Sequence, residues 1–395
     1  PPGGALGTTT VKCDPPGSEE PEKGKFGAPE AYDLLFRLQK HIYLVEGNTE
    51  SRRTYCHRQA GTGKVPALRG DNPRLAQFAR CGEEPCPVCS RARAAARAAR
   101  LKPVAQEHIE QGGAIVFATF TLRHNASQPL EQSLEALNYG WRGITMPSKR
   151  LRALRESLGW LGTVCVLEVT YGWKNGWHPH FHAAIFLKTV PTEAQRLDLK
   201  DALYSRWSGR IAKYGYDASL DNGVDVKVWK GDEDALVEYL AKDLSMEMTQ
   251  GLLKTSRTEH GTTSIWPYLD AGLSGNEAAM KVYKEWEKAM KGRRILRATG
   301  GFLPNQDEYE REYLDKEEDR VHFFIDSATW GRSGGLHLLA GQAVRLAKEV
   351  SPEAAQDFLL GHGIDIPDKQ EVFDRLGRLA LMKPLRSGNG RFTGV

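Results

Sequence analysis

The stretch GWHPHFHAAIF, residues 176–186, places His178, His180 and His182 within five positions of a chain that holds 11 histidines in all. On a β-strand, alternate residues share a face and lie about 7 Å apart. His180 and His182 would then offer two imidazoles, side by side, to one cation. Pro179 has no N–H for a ladder and suits a strand's first position or its edge. It sets His178 apart as a neighbour of the pair. Just upstream, GTVCVLEVT contains a single carboxylate, Glu168, among apolar residues. A carboxylate in such a strand is costly unless it is paired or ligating. Two histidines and one carboxylate with open positions make a site for a divalent cation. The competing reading is a solvated sheet face.

A second group of metal-type residues lies earlier. Cys81, Cys86 and Cys89 crowd together in RCGEEPCPVC, and Cys56 precedes them. The x4 and x2 spacings are those of a metal knuckle, and Cys56 completes four thiolates. His57 is the alternative fourth ligand. Thiolates suit Zn²⁺, whereas the histidine–carboxylate site prefers a harder cation. No basic-then-apolar leader opens the sequence, which favours metal over disulfides and a cytoplasmic setting. Cys165, in an apolar run, reads as an inert core residue. Arginines then crowd Arg80–Lys102, opposed only by Glu83 and Glu84, the charge pattern of phosphate contact or of a solvated helix face.

A third group is EDALVEYLAKDL. On a helix Tyr239 and Lys242 share a face, with Asp243 close by. Tyrosine is a poor nucleophile at neutral pH because its pKa is about 10. A neighbouring ammonium or a metal-bound phosphate helps it ionise. Taken alone the pair is commonplace on helices.

The elements that must position these groups follow from periodicity. GGAIVFATFTLRH reads as a buried strand, preceded by a helix from about Ser90 to Gln111. Residues Leu130–Leu158 read as mainly helical. GTVCVLEVT and HFHAAIFLKT form a hairpin around Asn175-Gly176. TEAQRLDLKDALYSRWSGRIAKYG is an amphipathic helix, VDVKVWK a strand, and EDALVEYLAKDLSMEMT a helix. The result is an α+β arrangement, with an antiparallel or mixed sheet and helices. Four segments are expected: an unfolded tail over 1–28, rich in Pro, Gly and charge; a cysteine- and arginine-rich segment over 29–110; a domain over 111–300 that holds the histidine strand, the lone carboxylate and Tyr239; and a helical C-terminal region over 301–395. In the last, helices are expected at Leu336–Val350, Pro352–Gly361 and Lys369–Met382.

Hydrophobic residues are 40% and charged residues 26%, ordinary values for a globular protein, and the formal charge of +4 announces no nucleic-acid binder by itself. No apolar run reaches the length of a membrane span. AGTGK, residues 60–64, stops short of a phosphate loop because Val65 follows Lys64, so no ATPase is expected.

Together, the His-apolar-His strand and the later helical Y-x-x-K resemble the HUH endonucleases. The similarity is to the rolling-circle replication initiators (Rep) of bacterial plasmids. It is carried by FATFTLRH, GTVCVLEVTYGWKNGWHPHFHAAIF and EYLAKDLSMEMTQGLLKTSR, with WPYLD, EWEKAMKGRR and the CG-x-x-x-CPVC segment, and it runs from about Arg52 to Gly301. The resemblance implies a central antiparallel sheet flanked by helices, with 111–300 as the catalytic domain and 29–110 binding zinc and DNA. It implies Mg²⁺ or Mn²⁺ held by His180, His182 and Glu168. Tyr239 would be the nucleophile, leaving a 5′-phosphotyrosine and a free 3′-hydroxyl, with Lys242 positioning it or steadying charge.

The implied partners are single-stranded and hairpin origin DNA, and a host helicase with the replication machinery. The oligomeric state stays open, a dimer being one option. Some relatives use a carboxylate to activate water at termination. Four before Tyr239 stands Ala235, so that spacing is not met, and Glu238 or Asp243 are the substitutes. Competing readings are a single-strand transposase of the same superfamily, a histidine-triad nucleotide hydrolase and a non-enzymatic zinc-binding DNA regulator.

Overall fold

A computed structural model describes residues 38, 53, 56–57, 60–61, 64–71, 73–229, 263–305, 308–309, 320–332 and 336–381, the side chains of 332, 336–338 and 377–381 excepted. The chain is built on a five-stranded sheet. Its strands are β3 (Ala114–Thr121), β4 (Trp160–Gly172), β5 (Gly176–Leu187), β6 (Val224–Val228) and β7 (Leu296–Ala298), in the order β6-β3-β5-β4-β7. Every pairing in it is antiparallel. The expected α+β class holds: helices flank antiparallel sheets.

The central strand, β5, is the histidine strand, and it is joined to β4 by the hairpin that Asn175-Gly176 announces. Gly176 has φ +76, and a Cβ there would lie 2.7 Å from the Ala126 Cα, so both conformation and space call for glycine.

Alternation along the strands divides the core into two layers. On one face Phe120, Phe181, Ala183 and Ile185 are buried with Leu134, Leu137 and Trp141 of α2 (Leu130–Thr145) and Leu199, Leu203 and Trp207 of α4 (Glu193–Ile211). Each large apolar side chain buried there contributes about 1.5–3 kcal/mol. A capping box, Thr192 with Gln195, starts α4. On the other face Ile115, Phe117, Val164, Val166, Ala184 and Phe186 meet Ala94, Leu101 and Ala105 of α1 (Pro87–Glu110). The helical stretch read over 130–158 is two helices, α2 and α3 (Lys149–Ser157). Met146, Pro147 and Ser148 separate them, Ser148 capping α3 through the Leu151 N–H.

A second sheet has three strands, β1 (Ala67–Arg69), β2 (Arg74–Ala76) and β8 (Val321–Phe324), ordered β2-β1-β8. It joins chain ahead of the large sheet to chain beyond it, segments that the sequence reading assigns to different domains. Helices α5 (Trp266–Leu273) and α6 (Glu277–Met290) lie between β6 and β7 in sequence. Helices α7 (Ser327–Arg332), α8 (Leu336–Glu349), α9 (Pro352–Gly361) and α10 (Lys369–Leu381) follow β8.

Candidate metal and nucleic-acid site

The face of the large sheet that packs on α1 changes character along a line. On β5 the apolar Phe186 and Ala184 give way to His182, His180 and His178. On β4 Val164 and Val166 give way to Glu168 and Thr170, and on β3 Ile115 and Phe117 give way to Thr119 and Thr121. Register aligns these switches. Thr119, His182 and Val166 form one cross-strand row, and Thr121, His180 and Glu168 the next. Glu168 therefore stands directly opposite His180, at the spacing at which cross-strand pairs meet.

The three side chains converge. His180 Nε2 lies 2.7 Å and His182 Nε2 2.8 Å from Glu168 Oε2, and the two Nε2 atoms are 2.9 Å apart. Second partners fix the rings. His180 Nδ1 is 3.3 Å from the His178 carbonyl oxygen, and His182 Nδ1 is 3.2 Å from Thr119 Oγ1.

A carbonyl can only accept, so His180 donates from Nδ1, and in its neutral form Nε2 is a bare lone pair. A bare Nε2 against a carboxylate oxygen needs a positive species between or upon them. That species is a proton on the imidazole or a metal cation. Burial alone would raise the Glu168 carboxyl. The charge on His180, and hydrogen bonds from His180 and His182, outweigh it and hold the group well below the usual carboxylate range.

At 2.7–2.9 Å from one another, the three donor atoms are close enough to meet on one ion. Glu168, His180 and His182 could thus hold one divalent ion.

The four cysteines gather in a second centre. Cys56 Sγ is 3.3 Å from Cys89 Sγ and 3.6 Å from Cys86 Sγ, and Cys81 Sγ is 3.6 Å from Cys89 Sγ. Zinc–sulfur bonds of 2.3 Å in a tetrahedron place sulfurs about 3.8 Å apart. These separations exceed a disulfide bond; none of the four cysteines is disulfide-linked, and all are buried. Thiol hydrogen bonds from Cys56 and Cys81 hold Cys89 well below its usual range. Burial raises Cys86, and the Cys81 thiol raises Cys56. One thiolate is tolerated and four are not without a cation, so the cluster could hold a metal ion.

His57, the alternative ligand, is stacked on Phe78 with a ring-centroid distance of 5.9 Å, and its carbonyl accepts from Trp330 Nε1. Cys86 caps α1 and Cys89 sits in its first turn, so the cluster anchors that helix.

Two of the arginines of α1 are turned inward. Arg97 and Arg100 are buried, 2% and 4% exposed, rather than displayed to solvent or phosphate. Arg97 pairs with Glu84 of the Cys81–Cys86 loop, and Arg93 reaches the Gly82 carbonyl and Glu84. Part of the positive charge thus ties the cysteine loop to the helix.

Tyr239, Lys242, Glu238 and Asp243 lie outside the described residues. Thr119 is the residue that sequence reasoning missed. Its signal was the pair of hydroxyls two apart in FATFT, Thr119 and Thr121, on the side that the histidines use.

The sequence profile of the Rep_1 family, described as "Replication protein", matches residues 72–329. A protein of Streptomyces lividans named "Protein rep" is 26% identical over 280 residues, 54% of this chain and 60% of the relative. A "Neomycin resistance protein" of Streptomyces cyanogenus is 30% identical over 162 residues, 33% of this chain and 37% of the relative. The chain therefore spans less than two thirds of the length of each of these relatives. No solved structure matches.

Proposed function

The chain belongs to the Rep_1 family of replication proteins, and on that premise we propose that it initiates rolling-circle replication of a plasmid by nicking single-stranded origin DNA. The observation that carries this reading is the Glu168–His180–His182 triangle, three donor atoms that β4 and the central strand β5 bring within 2.9 Å of one another. Mg²⁺ or Mn²⁺ there would supply Lewis acidity to one scissile phosphate. Glu168 contributes the negative charge that favours a divalent ion, and Thr119 and the His178 carbonyl keep both imidazoles aimed at it.

In the proposed reaction the Tyr239 oxygen attacks phosphorus and gives up its proton. The P–O3′ bond breaks, and the 3′-oxygen leaves as a hydroxyl that primes synthesis. A 5′-phosphotyrosine remains, and attack on it by a later 3′-hydroxyl rejoins the strand. Lys242 stabilises the developing negative charge, and Glu238 or Asp243 serves as base for water at termination. Chemistry of this kind needs mainly positioning and charge stabilisation.

The cysteine cluster fits a structural Zn²⁺ that braces residues 29–110 for contact with duplex or hairpin origin DNA. The catalytic domain is assigned to 111–300 and the helical region to 301–395. A host helicase, in the bacterial cytoplasm, would unwind the template. Among the described residues no helix is long and apolar enough to cross a membrane.

The test is a labelled single-stranded origin oligonucleotide incubated with the protein and Mn²⁺. Site-specific nicking that EDTA abolishes, and that His180→Ala and His182→Ala each reduce by two orders of magnitude or more, is expected. Nicking that persists in EDTA contradicts the reading. So does release of mononucleotides with no strand cleavage, the outcome a nucleotide hydrolase would give.

A further inference from the structure

On the face of the large sheet opposite the histidines, a cavity of about 300 Å³ opens between α2, α3 and the β4–β7 edge. Strand alternation sets the side: Thr163 lies on the same face as Cys165 and opposite to Glu168. The cavity is lined by Trp141, Arg155, Thr163, Arg297, Thr299 and Gly300, among others. No Asp or Glu lines it.

Both arginines are half-buried and neither has a carboxylate partner among the described residues. Arg155 sends one Nη to the Ile144 carbonyl at 2.6 Å and stacks on Trp160 at 4.3 Å, and its buried Nε has no hydrogen-bond partner. The Arg297 guanidinium sits over the Phe181 ring at 5.3 Å, and no carboxylate or carbonyl among the described residues accepts from it. Two hydroxyls complete the lining. Thr163 Oγ1 accepts from Trp160 Nε1 and Thr299 Oγ1 from the Thr163 N–H, each at 2.9 Å, which leaves both hydroxyl protons free to donate.

Burial pushes the Arg297 guanidinium down; Cys165 pulls it up, and Arg293, Arg142 and Arg294 push it down again. The site is thus a partly desolvated cluster of donors with further arginines nearby, and no carboxylate among the described residues pairs with it.

We propose that this cavity binds the phosphate of a nucleotide-sized ligand, either a free nucleotide or one residue of a bound DNA strand. Guanidinium forks match phosphate oxygens, and hydroxyl donors at their side complete the set. A phosphate fills only part of the volume. The remainder, walled by Trp141, has room for an attached sugar or base. The site does not depend on the metal triad or on Tyr239.

The experiment is calorimetric titration of the full chain in EDTA and low salt. The probes are deoxyadenosine 5′-monophosphate, deoxyadenosine, inorganic phosphate and a short single-stranded oligonucleotide. Arg297→Gln is compared with Arg152→Gln, which removes the same charge from the exposed side of α3. The expected result is saturable binding of a phosphate-bearing probe, about tenfold to a hundredfold weaker in Arg297→Gln and unchanged in Arg152→Gln. Binding of the mononucleotide assigns a free nucleotide, and Arg297-dependent binding of the oligonucleotide alone assigns a strand. Binding of deoxyadenosine as tightly as its monophosphate, equal loss in both variants, or no binding of any probe overturns the proposal.

Should Arg297→Gln fail to fold, phenylglyoxal modification of the unaltered protein decides. The tightest phosphate-bearing probe must shield Arg155 and Arg297 but not Arg152, and equal modification with and without it refutes the site.

Discussion

Thr119→Val isolates one hydrogen bond of the histidine pair. Valine matches threonine in shape and removes only the hydroxyl that lies 3.2 Å from His182 Nδ1. Without it the His182 ring loses the partner that sets its orientation and tautomer. Losses of such supporting partners cost roughly 10–100-fold in metal affinity. The bond is long for its type, and the His182 side chain keeps 13% exposure, so water can replace part of it. The expected loss is therefore near the lower end, about tenfold, or about 1.4 kcal/mol.

Thr121→Val is the matched control. Thr121 stands opposite His180 on the same face, but its hydroxyl donates to the Asn222 carbonyl at 2.9 Å rather than to a histidine ring. Titration followed by the resonance of free Mn²⁺ measures affinity without any DNA. Thr119→Val should shift half-saturation about tenfold and Thr121→Val less than about twofold. Equal affinities for unaltered protein and Thr119→Val, or equal losses in both variants, would refute the argument.

Other consequences follow from the same contacts. Glu84→Gln leaves the buried Arg97 guanidinium without its carboxylate, and denaturant unfolding should register a loss of about 3 kcal/mol. Gly176→Ala forces a side chain into φ +76 and against the Ala126 backbone, so the hairpin should lose about 1–3 kcal/mol in thermal unfolding. Metal analysis of protein purified without chelators should find about one zinc per chain, lost in Cys86→Ser together with cooperative unfolding of the helix it caps. Burial pushes the Cys165 thiol far up, so iodoacetamide at pH 8 should leave it unmodified until the chain is denatured, as peptide mass spectrometry can show.

Much of the site was legible because a strand's period is two. His180, His182 and Glu168 follow from alternation and one hairpin, and a single turn signal at Asn175-Gly176 sets the register that puts Glu168 opposite His180. The cysteine cluster was legible from spacing, although Cys56 had to be brought in from 25 residues away by the fold.

Other features need tertiary contacts. Whether Arg97 faces solvent or Glu84 depends on how the cysteine loop folds back on α1, which helical periodicity does not encode. β1 and β8 have three and four residues and pair across some 250 positions of chain, too short to show a period. β7 is equally short and hides in a basic stretch. The break between α2 and α3 was available in Pro147, whose ring cannot continue a helix.

The central claim is that a tyrosine of this chain exchanges places with the 3′-oxygen of a DNA phosphodiester under control of the Glu168–His180–His182 site. Its most direct test is peptide mapping of the protein after incubation with 5′-extended single-stranded origin DNA and Mn²⁺. The account predicts one covalent nucleotide adduct, on Tyr239, absent in EDTA and absent in Tyr239→Phe. An adduct on another residue, or origin cleavage by Tyr239→Phe at the unaltered rate, would contradict it.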